Sequence, residues 1–429
     1  MNPPFYDGLQ KTLYYYNNAN IALVKIVIQI YNCNMKKCSE TDAIFSLLRT
    51  VLHSGTENLI IGDPGLLFTQ MKEQSVAALP GQWLKAHPLP GTEQWLIFCA
   101  RQQAHWIRIM HAQEELLNLL EANGIPCVII KGAAAAMAYP YPALRSMGDV
   151  DFLVKRCDYE LAAALLEENG YRLAHDKNPA AHHYGYRKDR ISFELHRRLG
   201  TVRETDERLL SLFEDGIEQR EWHDTEGFRF PVLPTALNSL VLIYHINQHL
   251  RSGLGLRQII DWMMYIRRLD ENVWQEQVLP MLRETGMERL ALTVTAMCRK
   301  YLGLEKVVEN SEDYPVDDLM DYIMEKGNFG RKAGEEGRIA SYTLSVTGID
   351  SFFKRLQEGG LSRWKAAKRF AVLRPFAWIY QVFRIAGVLV KNKISPGTFL
   401  RQQRKGMEQK KLMESLGLGA EREIGLKKF

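Results

Sequence analysis

Asp149-Val150-Asp151 places two carboxylates one residue apart within Asp149–Val154, a short apolar run that reads as a strand. Alternate side chains of a strand share a face, so both acids point the same way, about 7 Å apart along the chain. That pitch suits carboxylates converging on one or two hard cations with oxygen ligands. The triplet alone discriminates poorly, because 50 acids among 429 residues supply about six such triplets by chance. The solvated face of an edge strand would carry the same residues.

The neighbours narrow the choice. Upstream, Pro126–Ile130 reads as a buried strand, Lys131-Gly132-Ala133 as a turn, and 133–139 as an alanine-rich helix. A glycine there lets backbone approach a phosphate, and the N-terminus of the helix favours anions. Downstream, 183–187 and 191–196 read as an antiparallel pair around Lys188-Asp189-Arg190. On the second strand Ser192, Glu194 and His196 face one way, and Ile191, Phe193 and Leu195 the other. A third carboxylate on a neighbouring strand is what two-metal phosphoryl transfer requires.

These pieces must be held by something larger. Residues 42–123 read as helices, the longest being Trp95–Glu121 with Gly124 at its C-terminal stop. Beyond 205 the pattern reads helical throughout, with candidate helices at 235–250, 256–269, 273–285, 288–302 and 315–326 and loops near 226–234 and 327–338. The predicted fold class is α+β, a small mixed-sheet core embedded in a mostly helical protein. The expected division is a 1–41 extension outside the fold, a 42–124 helical segment, a 125–204 α+β core, a 205–360 helical domain and a 361–429 basic tail rich in aromatics.

The stretch Lys131–Val154 resembles the uncharacterised nucleotidyltransferases of the DNA-polymerase-beta-like superfamily. The shared signature is an apolar residue, Gly, Gly or Ser, then Asp-apolar-Asp and a later acid on a strand. The resemblance implies that Gly132-Ala133 form the phosphate-contacting turn. It also implies that Asp149, Asp151 and Glu194 bind Mg²⁺, two ions being possible, and that an NTP gives its NMP to an unidentified hydroxyl with release of pyrophosphate. Ala133 stands where Gly or Ser is usual, and Glu194 where Asp is commoner. Fifteen residues separate Ala133 from Asp149, which makes a long loop. The likeness extends over about 42–385, through Leu254–Asp261 and Gly327–Gly330. A degenerate nucleotide-binding or scaffold protein stays open as the alternative, as does a membrane-peripheral component of polysaccharide or peptide modification.

Further residues gather around this core. Arg145, in the loop before the acids, is placed to meet a triphosphate oxygen, and Lys131 to contact phosphate. His196 shares a face with Glu194 and is positioned to orient it or the acceptor. His245 and His249 lie i, i+4 on one helix, and Arg257 and Asp261 i, i+4 on the next, where they could pair with each other. Both pairs could line the acceptor cleft or form a buried polar network. The order His-Ile-Asn-Gln-His lacks the glutamate a zincin needs. His182-His183 reads as a loop feature.

Composition sets the frame. At 46% hydrophobic and 24% charged, the chain is an ordinary globular one, and collagen-like, coiled-coil and wholly disordered classes are excluded. Its net charge of +5 hides a split, because 363–429 carries 16 basic and 4 acidic residues while the rest is mildly acidic. That tail interleaves Arg and Lys with Trp, Phe and Tyr, and would suit docking on the acidic body, an anionic membrane surface or a nucleic acid. The apolar run 21–31 is too short for a span of about 20 residues, and Met35 is a plausible alternative start. Six cysteines form no CxxC pair, which points to the cytoplasm, with the tail leaving the membrane periphery open. The sequence does not indicate an oligomeric state.

Overall fold

The computed structural model describes residues 40–53, 55, 59, 61–175, 181–200, 206–250, 253–306, 308, 311–328, 356–357, 359–361, 363–391 and 407–418. Residues 1–39 of the extension expected at 1–41 lie outside the described residues, Cys33 and Cys38 among them, while 40 and 41 are helical.

Among the described residues four helices come first: α1 (Glu40–Leu52), α2 (Pro64–Glu73), α3 (Gly81–Ala86) and α4 (Glu93–Ala122). The sequence spacing of α4 becomes a buried stripe running from Trp95 and Cys99 through Trp106, Ile109 and Leu116 to Leu120. Gly124 closes it at φ +68°, and the Ile125 N–H returns to the Leu120 carbonyl at 3.0 Å.

A mixed sheet follows, built from β1 (Cys127–Ile129), β2 (Asp149–Val154), β3 (Arg172–Leu173), β4 (His183–Lys188) and β5 (Ile191–His196). Between its strands lie a short helix α5 (Gly132–Ala136) and α6 (Tyr159–Glu168). The spatial order is β1-β2-β5-β4-β3, with β2 and β5 parallel and the other neighbours antiparallel. The register sets Asp149 opposite Ser192 and Asp151 opposite Glu194.

Alternation gives this sheet two different faces. Val150, Phe152, Val154, Phe193 and Leu195 pack with the C-terminal half of α4 and with α6 in one core. Val128, Ile130 and Leu153 face the other way and join a helical core. Asp149 and Asp151 share the face of Leu153, so the acids look toward the helices.

The helical body contains α7 (Glu207–Glu218), α8 (Thr235–His249), α9 (Leu256–Ile266), α10 (Leu279–Glu284), α11 (Glu288–Leu302) and α12 (Val316–Lys326). One expectation fails here. The stretch 221–232 is a hairpin, β6 (Glu221–Thr225) with β7 (Phe228–Val232), not helix and loop. Glu226 at φ 52° and Gly227 at φ 85° make its two-residue turn, and β7 buries Phe230 and Val232 in the sheet core. Its alternating pattern is short and ends on Pro231-Val232-Leu233-Pro234, which resembles a loop in sequence.

Part of the basic tail packs on this body. Residues 407–415 are helical, and Leu412, Met413, Leu416 and Leu418 enter the helical core. Gln409 donates to the Leu250 carbonyl at 3.1 Å and to the Tyr322 hydroxyl at 2.8 Å. This contact is made by apolar and amide side chains rather than by the tail's charge. Ahead of it lie α13 (Lys365–Arg369) and α14 (Ala377–Lys391); Phe370 and Phe376 between them, and Trp378 and Phe383 on α14, are exposed. Among the described residues, no helix is long and apolar enough to cross a membrane.

Helix α9 clamps the long loop that delivers the acids. Arg145 forks onto Asp261, Nε to Oδ1 at 3.0 Å and Nη2 to Oδ2 at 2.6 Å. Tyr139 adds its hydroxyl to the same Oδ1 at 2.7 Å. Arg257 donates to the Ser146 carbonyl at 3.1 Å and Arg268 to that of Met137 at 2.7 Å. With Arg145 and Asp261 only 3% and 2% exposed, removing one partner strands a buried charge. Asp261→Ala should therefore cost about 3–5 kcal/mol in urea unfolding, and leucine at both positions should cost less. A single-variant loss below about 1 kcal/mol would contradict the clamp.

Candidate active site

The turn between β1 and α5 is tight. Lys131 sits at φ 58°, ψ −131°, a conformation uncommon for a residue with a Cβ, and Gly132 follows at φ +21°. Holding Lys131 there costs about 1–3 kcal/mol, and the effect is to send its side chain back over β2. Its Nζ meets Asp151 Oδ1 at 2.6 Å, so in this structure it answers the carboxylate rather than solvent. The helix behind the turn runs only from Gly132 to Ala136, shorter than the sequence suggested.

Asp151, Glu194 and His196 form one group, with a ligand atom from each within 4.8 Å of the others. His196 Nε2 stands 3.0 Å from Asp151 Oδ1 and 3.3 Å from Glu194 Oε2. The other oxygen of Glu194 is 3.7 Å from His183 Nε2. His182, His183 and His196 make a second such group. His183 is the first residue of β4, as the strand reading of 183–187 expects, and lies directly opposite His196, so the loop reading of His182-His183 does not hold for it.

The expected roles divide accordingly. Lys131, Asp149, Asp151, Glu194 and His196 come together. Arg145 does not: its guanidinium is buried on Asp261, which overturns the expectation that it meets phosphate. Asp261 pairs with Arg145 in place of the expected Arg257. Arg257 stays close enough to Asp149 to lower its pKa, and burial together with Arg145 depresses Arg257's own. His245 lines a narrow crevice of about 10 Å³, room for little more than a water, with Lys131, His196, Gly200, Tyr244 and Gln248. His249 lies behind it, ring centroids 4.5 Å apart. Tyr244 and Gln248 were not singled out from sequence, although they flank His245 by one and three positions and so share its stretch of α8.

The electrostatics are uneven. Burial raises the Asp149 carboxyl, and Asp151 and Glu194 push it further, to about 7. Burial also works against ionised Asp151, but Lys131 and the His196 hydrogen bond overcome it and hold the pKa below the usual range. The same balance, His196 and Lys131 against burial, keeps Glu194 well below it. Burial, then His249, Lys131 and Arg257, hold His245 well below an ordinary imidazole. One lysine thus serves three acids, and Asp149 is the carboxylate left under-compensated.

Comparison with known proteins places the chain among the nucleotidyltransferases. The chain belongs to the uncharacterised nucleotidyltransferase family, whose model matches residues 62–303, more than half of its length. No curated protein matches. Among solved structures, that of the antibiotic-resistance factor ANT(2'')-Ia aligns over 41% of this chain and 92% of its own, at 10% identity and a TM-score of 0.30. The family match includes the turn, all three acids and α8 to α11, while Gly327–Gly330 lies beyond it.

Because folded Asp149 holds its proton to about 7 against 3.8 for an ordinary aspartate, its contribution to stability falls as pH rises through that window. Without divalent cation, Asp149→Asn should raise the melting temperature by several degrees at about pH 8, and the gain should vanish below about pH 4. A lower melting temperature at the higher pH would contradict the raised pKa of Asp149.

Proposed function

We propose that this nucleotidyltransferase moves the NMP of an NTP to an acceptor hydroxyl and releases pyrophosphate, with Asp149, Asp151 and Glu194 holding Mg²⁺. The observation that carries the proposal is the row of three carboxylates on the parallel strands β2 and β5, with Asp151 and Glu194 in register. The residues suit a hard cation: all three offer oxygen on one face, and Asp149's pKa is raised by burial and then by Asp151 and Glu194, all of which a bound cation would offset. Bound there, Mg²⁺ would neutralise phosphate charge as it develops at the leaving group.

The chain's own groups supply the rest. Backbone amides of Gly132 and Ala133 are proposed to face phosphate, and Lys131 to leave Asp151 for a phosphate oxygen as the nucleotide arrives. Glu194, kept ionised by His196 and Lys131, is available to take the acceptor's proton. The acceptor oxygen then bonds to the α-phosphorus, and the bond to the β-phosphate oxygen breaks. His196 holds Asp151 and Glu194 in one orientation. His245, uncharged at neutral pH, lines the crevice as a hydrogen-bonding wall for the acceptor.

A second reading rests on one contact. Lys131 Nζ, at 2.6 Å from Asp151 Oδ1, already supplies a positive charge to that carboxylate, as it would in a nucleotide-responsive protein without transfer activity. Incubation with α-labelled and γ-labelled NTPs, Mg²⁺ and cell extract separates the two. Transfer predicts that the α-label alone enters an acceptor, and that Asn at 149 or 151 reduces this at least about 1,000-fold. Full labelling by either variant would sink the mechanism, and nucleotide binding without labelling would favour the second reading.

A further inference from the structure

The transfer reading leaves three imidazoles unused as ligands. Nitrogens of His182, His183 and His196 lie within 4.8 Å of one another, at one end of the β4–β5 pair. The ring centroids of His182 and His183 are 4.4 Å apart, those of His183 and His196 5.0 Å, and those of His182 and His196 5.8 Å. His196 is 2% exposed, and while its Nε2 faces Asp151, its Nδ1 is buried with no hydrogen-bond partner among the described residues. A buried polar atom left in that state is a feature to explain.

A carboxylate stands beside the three rings. Glu194 Oε1 is 3.7 Å from His183 Nε2, and two ligands on a tetrahedral zinc with bonds of about 2.1 Å are themselves about 3.4 Å apart. Room for His182 depends on Gly200, where any Cβ would come within 2.9 Å of His182 Nε2. Imidazole nitrogen selects zinc and its late transition-metal neighbours, whereas magnesium selects oxygen.

We propose that His182, His183 and His196, with Glu194 as the adjacent carboxylate, form a nitrogen-rich site for a zinc-class divalent metal, adjoining the acid row and sharing Glu194 with it. Asp151 and Glu194 both face Nε2 of His196, at 3.0 and 3.3 Å, so a metal taken at the unpartnered Nδ1 would leave them as the outer carboxylates that commonly orient a ligating imidazole. Through those contacts, occupancy of the nitrogen site would be felt at the acid row.

The test needs no nucleotide, so it stands or falls separately from the transfer reading. Full-length chain stripped of metal is titrated with Zn²⁺ by calorimetry, and with Co²⁺ as a spectroscopic probe. The site predicts one zinc per chain and the intense visible absorption of four-coordinate cobalt. His182→Ala and His183→Ala should each weaken zinc binding at least about 100-fold, beyond what loss of an outer partner costs. His111→Ala, on an exposed histidine of α4, should leave it unchanged. Zinc binding equal in both histidine variants overturns the site. So does binding lost in Asp149→Asn yet kept in the histidine variants, no zinc binding at all, or the weak spectrum of six-coordinate cobalt in the unaltered chain.

Discussion

Everything at the acid row depends on the buried fork between Arg145 and Asp261. The loop from α5 to β2 is long, and a loop of that length has no intrinsic reason to deliver Asp149 to one place. Arg145 and Tyr139 converge on a single carboxylate of α9, and Arg257 and Arg268 catch loop carbonyls on either side. A buried ion pair is a poor source of net stability but a strict positional constraint, because each partner is costly to leave alone. The fork ties the start of β2 to the helical body, and with it the spacing between the acids and the α8 wall.

With the frame set, the site is a problem in compensation. Three carboxylates face one lysine, and burial opposes the ionised form of each. Asp151 and Glu194 stay ionised through Lys131 and His196, which leaves Asp149 to carry the deficit. A cation-ready site has this character: held by its own groups, and improved by charge that arrives with a ligand. The strained turn at Lys131 belongs with this compensation, since it aims the Lys131 ammonium at the acids.

The acid row was legible because a strand's period is rigid. Asp149 and Asp151 had to share a face, and so did Glu194 and His196. The partnership of His183 with His196 was legible in principle as well. A two-residue turn at Asp189-Arg190, both at positive φ, pairs Lys188 with Ile191 and, by counting back, His183 with His196. Arg145 was misread because loop position says nothing of burial. Its partner lies 116 residues away on a helix whose inward face no local pattern reveals. The β6–β7 hairpin was missed because Glu226-Gly227 is a weaker turn signal than Asn-Gly or Asp-Gly. Docking of 407–418 was misframed as a matter of charge, when its buried leucines and methionine make the contact.

The central claim is that nucleotide binding depends on the metal held by the acid row. Calorimetric titration of the full chain with a non-hydrolysable NTP, with and without Mg²⁺, tests it most directly. The account predicts binding that needs Mg²⁺ in the unaltered protein and is lost in Asp151→Asn. Equal affinity with and without Mg²⁺, undiminished in Asp151→Asn, would contradict it.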